Sequence, residues 1–146
     1  MRFLLLALSL TACTGSHHDP DPEFYGRPWT FTVLGATINT KKANGSAWDP
    51  DLSPTDPFVR MYLDGTYLGV APTIDDTYDP VWSYSPAPQI INEGSMLSVD
   101  MIDSDSFDDD PIFQGCGIAL TSSTVKLGGA SCPSQNGTLE LAITVE

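Results

Sequence analysis

Histidine is almost missing from this chain of 146 residues, which has two, His17 and His18, side by side in a polar stretch near its start. Everything after them lacks the imidazole that nucleophile–base pairs and histidine-containing metal sites depend on. An unconstrained pair in such a stretch makes no defined site. Positive charge is equally scarce, with 6 Lys and Arg against 19 Asp and Glu and a formal net charge of −13. Apart from Arg2 the cations are Arg27, Lys41, Lys42, Arg60 and Lys126, too dispersed along the chain to form a patch. That excludes nucleic acid as a partner, because phosphate binding needs clustered positive charge. An anionic membrane would also repel this surface unless a cation intervened. Long apolar runs are missing too: the run from Phe3 to Leu10 is far shorter than the roughly 20 residues a spanning helix needs. No window has a convincing helical period, and there is no internal repeat.

What the start does contain is a basic Met1-Arg2, a short apolar core and Leu10-Thr11-Ala12-Cys13. This fits a secretory signal, and its last four residues resemble the lipobox of bacterial lipoproteins. The resemblance implies that residues 1–12 are removed as a signal peptide. Cys13 would then be acylated, palmitate included, and would hold the protein in the cell envelope by its lipid. Thr14 stands where inner-membrane retention in some bacteria uses aspartate, which points to the outer membrane, with periplasm or cell surface left open. Residues 13–28 are expected to be the lipidated cysteine and a flexible tether; fifteen such residues span about 23 Å on average. Residues 29–146 would form one domain.

With Cys13 committed to lipid, Cys116 and Cys132 remain. Two cysteines in an exported protein have one intramolecular pairing open to them, with two reduced buried thiols as the alternative. Closing that loop would add about 3 kcal/mol of stability in the chain-entropy model.

From Trp29 onward the pattern is β. Trp29, Phe31 and Val33 alternate, then the parity shifts to Ala36 and Ile38, and Gly35 between them suggests a bulge. Phe58 to Leu63 reads as a strand, and Asp64-Gly65 is a hairpin signal leading to Thr66–Val70. Further strands are expected at Val81–Tyr84, Met96–Ile102, Cys116–Leu120 and Thr138–Val145. Short strands parted by Gly, Pro, Asn and Asp argue for an antiparallel sandwich. Trp29 and Trp82 fall on alternating positions and are expected in the core, while Trp48 opens an acidic loop and is left open.

Two loops concentrate the negative charge. Asp103, Asp105, Asp108, Asp109 and Asp110 crowd one, and Asp49, Asp51 and Asp56 precede another strand. Two carboxylates about 4 Å apart repel by about 4 kcal/mol at an effective dielectric of about 20. Such a cluster is either splayed in water, where it adds solubility, or given a divalent cation. Ca²⁺ suits it, accepting six to eight oxygens in flexible geometry. A helix–loop–helix calcium site is a poor alternative, because the places that want Asp or Asn, Gly and Glu hold Phe107, Asp108 and Gln114.

In order, Trp48-Asp49, Thr55-Asp56-Pro57-Phe58-Val59, Thr77-Tyr78-Asp79-Pro80-Val81-Trp82, Asp103-x-Asp105 and Asp110-x-Ile112 resemble a C2 domain, the calcium- and lipid-binding sandwich. The resemblance covers Trp29 to Glu146. It implies an all-β, eight-stranded antiparallel sandwich with calcium held between loops at one end by Asp49, Asp56, Asp103, Asp105 and Asp110. Asp51 is a substitute for Asp49. The stretch from Asp105 to Asp110 is one residue short of the pattern and Gly115 falls late, so Asp108 or Asp109 could replace Asp110.

A carboxylate pair could work as acid and base, but a small sandwich leaves little room for a substrate cleft, and a binding module is expected rather than an enzyme. The first expectation is calcium-dependent attachment to phospholipid or lipopolysaccharide headgroups, with Phe107, an aromatic amid the acidic loop, touching the membrane or else folding back on Leu52 or Pro54. The second is a structural or adhesive surface lipoprotein binding a protein or polysaccharide, favoured by the lack of a basic patch.

Overall fold

The computed structural model describes residues 23–105 and 109–145. Cys13, both histidines, Phe107 and Asp108 lie outside the described residues.

Two antiparallel sheets face each other. The first contains β1 (Pro28–Ile38), β4 (Val81–Tyr84), β8 (Gly129–Pro133) and β9 (Gly137–Val145) in the order β4-β1-β9-β8, with the two-residue β5 (Gln89–Ile90) pairing the start of β1. The second runs β3-β2-β6-β7, from β2 (Pro57–Leu63), β3 (Thr66–Ala71), β6 (Met96–Asp103) and β7 (Asp110–Ala119). Among the described residues nine strands therefore stand where eight were expected.

Alternation explains the core. Trp29, Phe31 and Val33 of β1 and Leu139, Leu141 and Ile143 of β9 turn inward from one sheet; Val59 and Met61 of β2 and Leu97, Val99 and Met101 of β6 meet them from the other. Each such side chain contributes about 1.5–3 kcal/mol by leaving water. The expected bulge is present: the register of β1 against β9 shifts between Val33 and Gly35, so Leu34 is exposed and Ile38 returns to the core. The β2–β3 hairpin turns on Asp64 (φ 49°) and Gly65 (φ 78°), both left-handed, as a tight primed turn requires.

The two open sides of the sandwich close differently. β7 and β8 are edge strands of different sheets, and a Cys116–Cys132 disulfide joins them, Cα atoms 6.0 Å apart. On the other side Tyr84 of β4 lies directly against Gly69 of β3, where a Cβ would collide with the Tyr84 hydroxyl.

Two expectations are corrected. The folded body begins before Trp29: Phe24 is buried, stacks on Trp29 and accepts a 2.8 Å hydrogen bond from its indole N–H, and Gly26 N–H reaches Ile91 O. The end of the supposed tether thus covers core edges that Trp29 alone would leave wet. The second is the stretch after Leu120, where no helical period shows in the sequence. It forms a short helix, α1 (Ser122–Leu127), capped by the Thr121 hydroxyl and ended by Gly128 (φ 72°), and then β8.

Candidate metal centre

Strand β6 runs the length of the second sheet and ends on Asp103, placing that residue at one pole of the sandwich. Described residues of three connections meet there: 39–56 between β1 and β2, 72–80 between β3 and β4, and 104–105 with 109 between β6 and β7. Asp103 pairs in register with Pro57 on one side and Asp110 on the other. The aspartates far apart in sequence are therefore neighbours because three adjacent strands begin or end at one level.

Asp103 is fully buried. Its Oδ1 accepts the Asp56 backbone N–H at 2.7 Å, whereas its Oδ2 is buried with no hydrogen-bond partner. A buried carboxylate oxygen left in that state is costly unless a cation or donor reaches it. One carboxylate oxygen from each of Asp49, Asp103 and Asp105 lies within 4.8 Å of the others. Burial pushes the Asp103 carboxyl up to about 6, against the opposing Asp56 N–H, and the charges of Asp49, Asp56 and Asp110 push the same way as burial. Asp105 is pushed up to about 7, first by sharing a hydrogen bond with Asp49, then by burial and by the charges of Asp103, Asp49 and Asp110. Both carboxyls therefore release their protons at higher pH than an ordinary aspartate.

The remaining expected residues divide. Asp56 lines the same cleft of about 610 Å³, its Oδ1 accepting the Asp76 N–H at 2.6 Å. Asp51 is exposed; Ser53 hydrogen-bonds its carboxylate through both hydroxyl and backbone N–H, which holds its pKa below the usual carboxylate value. Asp51 therefore stands outside the converging three, and Asp49, steadied by the Ser53 hydroxyl at 3.2 Å, is inside. Asp109 is exposed. Asp110 is at the rim in an ion pair with Lys42, a partner that the scattered-cation reading did not foresee. Trp48 is buried, with its indole N–H on Asn39 O at 2.8 Å and the Lys42 ammonium 5.4 Å from its ring centre. It is a wall of the cleft.

The chemistry of the donor set tests whether a metal fits. All converging groups are carboxylates, no histidine is among the described residues, and both described cysteines are oxidised. Oxygen-only donors on loops suit a hard, flexible cation such as Ca²⁺ better than a soft transition metal. The unpartnered Asp103 Oδ2 is what such an ion would satisfy.

No family model and no curated protein sequence matches the chain. Solved structures do. "Structure of a C2 domain" superposes with a TM-score of 0.63 at 18% identity over 82% of this chain and 97% of that one. A C2 domain of plant Extended Synaptotagmin 1 gives 0.58 at 14% identity over 82% and 94%. Human GIVD cytosolic phospholipase A2, solved with an inhibitor and terbium chloride, gives 0.58 at 26% identity over 82% of this chain but 17% of that one. Extended-Synaptotagmin 2 with calcium bound gives 0.56 at 14% identity over 82% and 45%. The chain has a C2-type β-sandwich fold.

Proposed function

We propose that this is an exported, lipid-anchored C2-like module that binds Ca²⁺ at its acidic pole and attaches there to phosphate-bearing headgroups. The observation that carries the reading is the buried, unpartnered Oδ2 of Asp103 beside Asp49 and Asp105. The neighbours solved with calcium or terbium chloride support it by their fold.

Asp49, Asp103 and Asp105 are the direct ligands, Asp56 is the adjoining carboxylate, and Asp110 stands at the rim. When bound, the ion supplies positive charge and coordination sites that a headgroup phosphate can share. Asp103 provides the fixed floor, its position set by the ladder and by the Asp56 N–H. Asp49 and Asp105, half-buried on loops, each bring a carboxylate oxygen within 4.8 Å of it. With the carboxylates uncompensated, the pole repels an anionic surface; compensated, it no longer does, and attachment follows calcium. Phe107, on the same loop, enters the headgroup region. Cys13, acylated after removal of residues 1–12, tethers the domain to the bacterial envelope, preferentially the outer membrane.

Titration calorimetry of calcium into the chain from Thr14 onward tests the site, with a dissociation constant of about 10⁻⁴ to 10⁻³ M expected, as for extracellular modules. Sedimentation with vesicles of anionic phospholipid, with calcium or with chelator, tests the attachment. Binding only in calcium, weakened by Phe107→Ala, is expected. Calcium uptake without vesicle binding would favour the adhesive reading, which the lack of a basic patch also suits. An unmodified Cys13 in the mature protein, seen by mass spectrometry, would remove the anchor.

A further inference from the structure

Lys42 is out of character with its surroundings. It is one of five described cations, yet its ammonium sits inside the rim of the acidic cleft, ion-paired with Asp110 and held over the Trp48 ring. Its side chain keeps only 22% of its exposure.

The placement is built by several contacts. The loop carrying Lys42 closes on itself through Lys42 N–H to Ser46 O at 3.0 Å and Gly45 N–H to Lys42 O at 2.8 Å. The Asn136 side chain then clamps that loop to the strand carrying Asp110: its Oδ1 accepts Ala43 N–H at 2.8 Å and its Nδ2 donates to Ile112 O at 2.9 Å. Asn39 N–H donates to Asn136 O, which fixes the clamp in turn. Lysine and aspartate, 68 residues apart in sequence, are thus set against each other by a shared brace.

We propose that Lys42 is a built-in counter-cation that occupies the Asp110 side of the cleft, keeps Asp110 out of the metal's coordination sphere and limits the site to one divalent ion. The inference rests on the calcium reading above. Among the described residues, Asp49, Asp103 and Asp105 are the converging three, and Asp110 is not with them. A second ion on the Asp110 side of the cleft would need Asp110 as a ligand, and the ammonium already holds it. An ammonium has three donors and no coordination sites to offer. The half of the cleft it fills therefore neutralises charge without recruiting a headgroup.

Native mass spectrometry and titration calorimetry on the chain from Thr14 onward count the bound calcium ions. The parent is expected to take one. Lys42→Met, which removes the charge and keeps a similar bulk, is expected to take two, the first no more weakly than the parent. Lys42→Arg, which retains the charge, should stay at one and shows that the gain is not a packing effect. Circular dichroism melting of each variant confirms that it is folded. Two ions in the parent, or one ion of unchanged affinity in folded Lys42→Met, would overturn the role of Lys42 and leave the calcium site standing. No calcium uptake by the parent would overturn both together.

Discussion

The two poles of the sandwich treat an aspartate in opposite ways. At the pole where β6 begins, Asp64 is exposed, yet both its oxygens are satisfied: Oδ1 by Met96 N–H at 2.8 Å and Oδ2 by the Ser95 hydroxyl at 3.0 Å. At the pole where β6 ends, Asp103 is buried, yet one of its oxygens has no partner. The first pole is also closed over: Phe24 packs on Trp29, Lys126 lies over Phe24, and Leu120 N–H reaches Ser95 O. The second is open and lined by carboxylates. One pole is complete in itself, and the other carries an electrostatic cost that a cation would remove.

If that contrast is right, aspartate-to-asparagine changes at the two poles should differ in sign. Asp103→Asn removes a ligand charge and should weaken calcium binding by about 3 kcal/mol, roughly a hundredfold. In chelator at neutral pH the same change should raise stability by about 1–3 kcal/mol, because it removes a buried, mutually repelled charge. Calorimetry and urea unfolding measure the two effects. A variant destabilised in chelator would show that the acidic pole carries no such cost.

The disulfide lies between the poles, and breaking it asks whether they depend on each other. Replacing Cys116 and Cys132 by serine should lower stability by about 3 kcal/mol in the loop-entropy account. Calcium affinity should be unchanged, since neither cysteine touches the cleft.

Protons should act on the open pole as a poor substitute for metal. Asp103 sits at about 6 and Asp105 at about 7 in the folded, metal-free protein, both above the ordinary value of 3.8. A carboxyl raised on folding contributes stability that is fully present below pH of about 4 and is lost as pH rises through its folded value. Without calcium, stability should therefore fall between pH of about 4 and 7, by about 3 kcal/mol for the fully buried Asp103. With saturating calcium the fall should shrink, and calcium affinity should itself weaken as pH drops below about 7. Urea midpoints at several pH values, with and without calcium, check both slopes.

The smallest effect belongs to the closed pole. Asp64→Asn puts a donor where two donors already point, and should cost about 1–2 kcal/mol while leaving calcium affinity as it was.

Alternating residues and the Asp64-Gly65 turn made most strands readable from sequence, because each pattern is local. Strand β8 was not: Gly129-Ala130-Ser131-Cys132 has no β signature, and its extended form comes from pairing with β9. Helix α1 was too short for a period to show. Phe24 was assigned to the tether since nothing local announces that an aromatic will close a core edge. At the site, Asp49, Asp103 and Asp105 followed from the resemblance to a C2 domain, and their convergence is a product of strand register. Lys42 was legible only as a scattered charge, because its partner opens strand β7, 68 residues further along the chain.

The contrast between the poles is tested most directly by melting the chain in about 10 mM calcium and in chelator at pH 7.5. With a dissociation constant of about 10⁻⁴ to 10⁻³ M, mass action should add about 1.4–2.7 kcal/mol and raise Tm by several degrees. A Tm that calcium leaves unmoved would mean that the buried Asp103 oxygen is not a metal ligand and that the acidic pole is only solvated charge.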